Sequence, residues 1–212
     1  MSQPCVAALP GSLVAPLHYR ISIAGKEELL PIVAISSDIA IALMITVDMG
    51  IAFVERVGRA LATLLEPARP DIVLGAATMG IPVAIEVSRA LGLDRYVIAQ
   101  KSPKIHLGDA FVSKLKSITS SGEQKLMLDR RSAPLIAGRR VAVVDDVIST
   151  GSSIKALIDL VRQTSGEVVA IGLVLDEGSD WKKTLGADAA LVRTLAHIPV
   201  FKIAAGQAVP IV

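Results

Sequence analysis

A single cysteine, Cys5, stands in the 212 residues, so the chain cannot close an internal disulfide or assemble a thiolate metal cluster. That usage suits a reducing compartment. The three histidines, His18, His106 and His197, lie far apart without ligand-like spacing, which argues against a structural metal. Aromatic residues are only 3% of the chain although hydrophobic residues reach 52%, so the core must be filled by Ala, Val, Ile and Leu. This is the usual filling of a parallel sheet with helices on both faces, and an α/β fold is expected. Neither sign of charge dominates: 22 basic and 20 acidic residues leave a net +2, which gives no reason to expect nucleic acid or an anionic membrane as partner. The apolar stretch from Leu29 to Phe53 is interrupted by Asp38 and Asp48 and begins near Pro31. Charges at membrane depth are costly, so no membrane segment is expected. Residues 1–11 have neither a basic n-region nor a continuous apolar h-region, and a cytoplasmic location follows as the expectation.

No fixed-period repeat and no Pro/Gly/Ser-rich linker divides the chain, whose length suits one compact domain spanning 1–212. The first fifty residues carry no clear periodicity. From Ile51 to Leu65 the apolar positions Ile51, Val54, Val57, Leu61 and Leu64/Leu65 recur at helical spacing, and Pro67 and Pro70 stop the pattern. Asp71 to Leu74 reads as a short buried strand, Gly75 to Gly80 as a turn, and Ile81 to Leu91 as a helix closed by Gly92. Tyr96 to Gln100 is a further strand. Lys101 to Gly122 is a polar stretch, long for a loop, of the kind that serves as a lid, and Gln124 to Leu128 alternates weakly as a strand. Arg140 to Val144 reads as a buried strand, Asp145 to Gly151 as a polar turn, Ser152 to Val161 as a helix and Val168 to Leu175 as a strand. Strands alternating with helices imply right-handed crossovers, a parallel sheet, and ligands at the carboxyl ends of the strands.

The sharpest signal is Val141 to Ser153, VAVVDDVISTGSS: an apolar strand, two acids, then a small hydroxylated turn that opens a helix. Amides at a helix N-terminus, interleaved with the hydroxyls of Ser149, Thr150, Ser152 and Ser153, make a place for a phosphate dianion, and Gly151 lets the backbone come close. Asp145 and Asp146 at the strand end can accept hydrogen bonds from a vicinal diol. The plainer alternative is that Ser152 or Ser153 merely caps the helix and the acids are solvated at the sheet edge. A P-loop nucleotidase is disfavoured, because G-x-x-x-x-G-K-[ST] occurs nowhere.

This segment resembles the thirteen-residue phosphoribosyl pyrophosphate signature of type I phosphoribosyltransferases, purine branch, and the order of elements follows that family from about Asp71 to about Leu195. The resemblance implies a mostly parallel twisted sheet with helices on both faces, a core of about residues 51–195, and a small base-binding hood to which residues 1–50 and the C-terminal tail contribute. It assigns the ribose hydroxyls to Asp145 and Asp146 and the 5-phosphate to Ser149, Thr150, Gly151, Ser152 and Ser153. The stretch Ala77, Thr78, Met79, Gly80 is similar to the family's first pyrophosphate loop. Lys101 resembles its pyrophosphate-contacting lysine, with Lys104 within reach of the same anion and Lys114, Lys116, Ser120 and Ser121 on the hood loop. The implied partners are phosphoribosyl pyrophosphate, a nucleobase and a second copy of the chain, and the implied cofactor is Mg²⁺, held indirectly by Asp145 and Asp146 together with the substrate diphosphate. Lys101 and, secondarily to its binding role, Asp146 are the catalytic candidates. Adenine is the expected base: Val174 to Lys183 contains one aromatic, Trp181, and lacks the lysine and aromatic-rich pattern of 6-oxopurine enzymes, while the tail from Ala189 to Phe201 looks closer to the adenine and xanthine branch. The alternatives are another base or a phosphoribosyl pyrophosphate sensor that does not turn over, for which no DNA-binding element is evident.

Overall fold

The computed structural model describes residues 17–102, 110–114 and 125–211. The chain opens with three strands, β1 (His18–Ile23), β2 (Lys26–Ala34) and β3 (Ile39–Ala42). In β1 and β2 alternate residues point inward, burying Ile21, Ile23, Leu30 and Ile32 while Leu29 and Val33 face out. The two strands join through Ala24 and Gly25, both at positive φ, the backbone that a two-residue hairpin with native twist requires.

Helix α1 (Ile51–Leu65) buries Val54, Val57, Leu61 and Leu65 on a single face, as its spacing predicts, but Ile51 of the same pattern stands in the exposed first turn, and the helix ends where Pro67 cannot continue the hydrogen-bond ladder. Next come β4 (Ile72–Ala76), buried along its whole length, α2 (Gly80–Ala90) and β5 (Tyr96–Ala99). Two short strands, β6 (Ala110–Lys114) and β7 (Lys125–Asp129), form an antiparallel pair, and α3 (Ala133–Ile136) leads into β8 (Arg140–Ile148). The chain finishes with α4 (Ser152–Gln163), β9 (Glu167–Glu177), α5 (Asp180–Leu185), β10 (Val192–Ile198), β11 (Val200–Ala204) and β12 (Gln207–Ile211).

The central sheet has the order β10-β9-β8-β4-β5, and every pair in it is parallel. From β4 the chain winds outward to β5, whereas from β8 it winds the other way through β9 to β10. The winding therefore reverses between β4 and β8, which opens a crevice at their carboxyl ends. On one face α1 and α2 pack with the hood interior against Val73, Ala142, Val144 and Val174. On the other, α4 and β7 cover Val141, Val143, Ile171 and Leu173. Each fully enclosed side chain, Leu157 of α4 for example, contributes about 1.5–3 kcal/mol through burial.

A second, antiparallel sheet, β1-β2-β3-β11-β12, forms the hood. Two of its five strands come from the C-terminal end, with Phe201 packed edge-on to Tyr19 at 5.5 Å between ring centres. Two expectations are corrected. Asp145 and Asp146 lie within β8 rather than in a turn, because residues up to Ile148 keep pairing with β9, Ile148 opposite Asp176. The polar stretch after Lys101 is not loop throughout, since β6 within it is held by β7. Among the described residues no helix is long and apolar enough to cross a membrane.

Candidate active site at the carboxyl ends of β4 and β8

The connection from β4 to α2 is three residues, Ala77, Thr78 and Met79, and the Ala77–Thr78 peptide bond is cis. Its ends are tied down: the Ala77 amide donates to the Ala99 carbonyl (2.9 Å), and the Met79 carbonyl accepts from the Thr46 hydroxyl (2.7 Å). Among the described residues the amides of Thr78 and Met79 donate to no backbone carbonyl. They lie at the N-terminus of an eleven-residue helix, where amide donors and the helix dipole favour an anion.

Asp145 faces this loop. A Cβ placed on Gly80 would lie 2.5 Å from Asp145 Oδ1, so only glycine lets α2 start against that carboxylate. Asp145 is buried and accepts from the backbone amide of Asp146 (3.0 Å). Burial raises its carboxyl well above the ordinary value, the Asp146 charge adds to the rise, and Lys101 at the end of β5 works against it. Asp146 is also raised, chiefly by burial, and Lys101 again opposes the shift. A carboxyl whose folded pKa is raised stabilises the fold below its unfolded value, and that stability is lost as pH rises through the folded value. Asp145→Asn removes the cost of burying charge. Without ligand, the variant is therefore expected to melt above the natural chain at neutral pH, the gap closing as pH falls toward 3.8, as thermal unfolding at several pH values will show.

Beyond β8 the chain turns through Ser149, Thr150 and Gly151 into α4. Gly151 sits at φ 81°, and a Cβ there would be 3.2 Å from the Trp181 backbone and from Thr184, so α5 packs directly on the turn. The Thr150 hydroxyl donates to the Ser152 hydroxyl (3.1 Å), and the Ser152 amide reaches back to Thr150 Oγ1 (3.4 Å). The Thr150–Ser152 side opens on a cleft of about 770 Å³ that Lys114, Lys155 and Lys183 also line.

Residues predicted far apart in the chain thus meet at one edge: Ala77 to Gly80, Asp145, Asp146 and Ser149 to Ser153, with Lys101 close enough to act electrostatically on both acids. Lys104, Lys116, Ser120 and Ser121 lie outside the described residues. Sequence reasoning missed Thr46 and Glu177. Glu177 is buried at the end of β9; burial pushes its carboxyl up, and the nearby Ser149 side chain works against that rise. Its signal was an acid at the end of an apolar strand, the same signal that marks Asp145.

The family model of the phosphoribosyl transferase domain matches residues 48–200. The chain belongs to the phosphoribosyltransferase family. An orotate phosphoribosyltransferase from Caldanaerobacter subterraneus is 34% identical over 128 residues, 60% of this chain, which spans 55% of that relative's length. A xanthine phosphoribosyltransferase from Clostridium perfringens is 31% identical over 153 residues, 71% of this chain and 80% of the relative. Adenine phosphoribosyltransferase from Saccharomyces cerevisiae superposes with a TM-score of 0.64 over 84% of this chain and 94% of its own; at 21% identity the likeness concerns the fold. The phosphoribosyltransferase fold accounts for both the parallel sheet and the hood. Relatives in this family are named for different bases, so membership leaves the base open.

Proposed function

We propose that the chain transfers ribose 5-phosphate from 5-phosphoribosyl 1-pyrophosphate to a purine, adenine in preference, releasing pyrophosphate and forming the nucleoside monophosphate. The observation that carries this reading is the meeting, in one crevice, of two helix N-termini with two adjacent carboxyl groups at the end of β8, Asp145 buried and Asp146 half-buried. The Ser149 to Ser153 turn would hold the 5-phosphate and the Thr78 and Met79 amides the diphosphate. Asp145 and Asp146 would receive the two ribose hydroxyls. As the bond from the base nitrogen to C1 of the ribose forms, the C1–oxygen bond to the diphosphate breaks and the electron pair leaves with the diphosphate. Lys101 and the loop amides neutralise the charge that develops there, and Asp146, besides binding the ribose, takes up the proton of the base nitrogen.

Mg²⁺ suits this donor set: two carboxylates offer hard oxygens, and among the described residues no group of three or more His, Cys, Asp or Glu makes a self-contained metal site. Asp145 and Asp146 would hold it together with the substrate's oxygens, and when bound it supplies positive charge to the diphosphate.

The preference for adenine rests on the Val174 to Lys183 segment, which departs from the 6-oxopurine pattern, and on the tail from Ala189 to Phe201. Initial rates with adenine, hypoxanthine, xanthine, guanine, uracil and orotate at equal Mg²⁺ test it: adenine should be fastest, and a faster pyrimidine would overturn the purine assignment. Silence with all six, with phosphoribosyl pyrophosphate still bound, would identify a sensor instead. In the same assay Lys101→Ala is expected to lower turnover and pyrophosphate affinity about tenfold, the scale of one charge-assisted hydrogen bond, whereas Lys26→Ala on the hood leaves both unchanged.

A further inference from the structure

Thr46 lies between the hood and the core, in the connection that runs from β3 to α1. Its side chain is 1% exposed, and its hydroxyl donates across 33 residues of sequence to the Met79 carbonyl. Met44, two residues earlier, is buried in the same core cluster as the hood residues Ala40, Ala42 and Phe201. Met79 precedes Gly80, the residue against which the Asp145 carboxylate rests. A continuous path therefore runs from the hood core through Thr46 to the loop after β4 and on to the ribose-facing acid. The loop's other end is fixed by the central sheet, through Ala77 and Ala99. The Thr46 bond is thus the point at which the hood takes hold of a loop otherwise fixed by the core.

We propose that Thr46 is a positioning residue that couples the hood to the diphosphate loop, so that a base held under the hood and a diphosphate held by the Thr78 and Met79 amides strengthen each other's binding. The inference deepens the transfer reading given above and rests on it. A hydroxyl buried this deeply has no water to replace its acceptor, and a Met79 carbonyl without its donor is free to turn. That rotation would re-aim the amides beside it without disturbing the sheet.

The test compares Thr46→Val, which keeps shape and loses the donor, with Thr46→Ser, which keeps the donor. Calorimetry on the full chain with Mg²⁺ measures phosphoribosyl pyrophosphate affinity, and adenine affinity with and without pyrophosphate; pyrophosphate release gives kcat and KM. Thr46→Val is expected to lose about tenfold in phosphoribosyl pyrophosphate affinity, the effect of one buried hydrogen bond, and to bind adenine equally with and without pyrophosphate. Thr46→Ser should keep both properties to within about threefold, as one small change in packing allows. Intact mutual strengthening in Thr46→Val, or its loss in Thr46→Ser as well, would overturn the proposal. Failure of the transfer reading shows separately: the natural chain would release no pyrophosphate with any base, while the contrast between the two variants in phosphoribosyl pyrophosphate affinity would still decide the role of Thr46.

Discussion

Replacing Asp145 and Asp146 together by Asn should weaken phosphoribosyl pyrophosphate binding by about a hundredfold or more. Each carboxylate would accept a hydroxyl and share a cation, and a hydrogen bond to a charged group contributes about 1.5–3 kcal/mol, or roughly 10- to 150-fold. The two losses will not add in full, because the groups are neighbours and coupled. The same substitutions relieve the burial of negative charge, so the ligand-free double variant should be at least as stable as the natural chain. Weak binding combined with a raised melting temperature separates loss of a site from loss of a fold. Calorimetric titration with phosphoribosyl pyrophosphate and Mg²⁺, beside a thermal melt, measures both. Unchanged affinity would mean that the diol does not meet these acids.

The second large effect is expected from one methyl group. Gly80→Ala sets a Cβ 2.5 Å from Asp145 Oδ1 and 3.6 Å from its Cα. The side chain that would have to yield is short, buried and enclosed in a close-packed interior, so the carboxylate must turn away or α2 must shift. Either movement spoils the juxtaposition on which the site depends, and a displacement on the order of 1 Å can cost about 100-fold in rate. The alanine's gain in helix propensity offsets only part of the cost of overpacking, so the melting temperature should fall modestly. Steady-state rates should fall by about that factor, and a rate close to that of the natural chain would show that Asp145 has room to move.

The parts of this arrangement that were legible in the sequence are those with a local cause. α1 could be bounded from its own spacing, because every apolar residue needed to mark its buried face lies within it. The strand-to-helix junction at Ser149 to Ser153 was readable because its glycine and hydroxyls mark it locally, although the same residues would also suit a plain helix cap. The hood strands were not readable, for a physical reason: β2 carries Leu29 and Val33 on its outward face, 58% and 38% exposed, which blurs the alternation that would separate inside from outside. The acids were placed one element too late, since pairing with β9, a long-range contact, carries β8 through Asp146 to Ile148. Thr46 gave no local sign, because its hydrogen-bond partner is far along the chain. Glu177 was visible as an acid ending an apolar strand, yet its burial is set by the pairing of β9 with its neighbours.

This crevice is expected to move a phosphoribosyl group onto a base rather than only hold its donor. The measurement that tests it most directly is the stoichiometry of products when the chain is mixed with phosphoribosyl pyrophosphate, Mg²⁺ and adenine, with AMP and pyrophosphate quantified from the same reaction. Transfer predicts AMP and pyrophosphate in equal amounts, both requiring the base and both lost in the Asp145→Asn/Asp146→Asn variant. Pyrophosphate formed without AMP, or neither product with adenine or any other base, would contradict it.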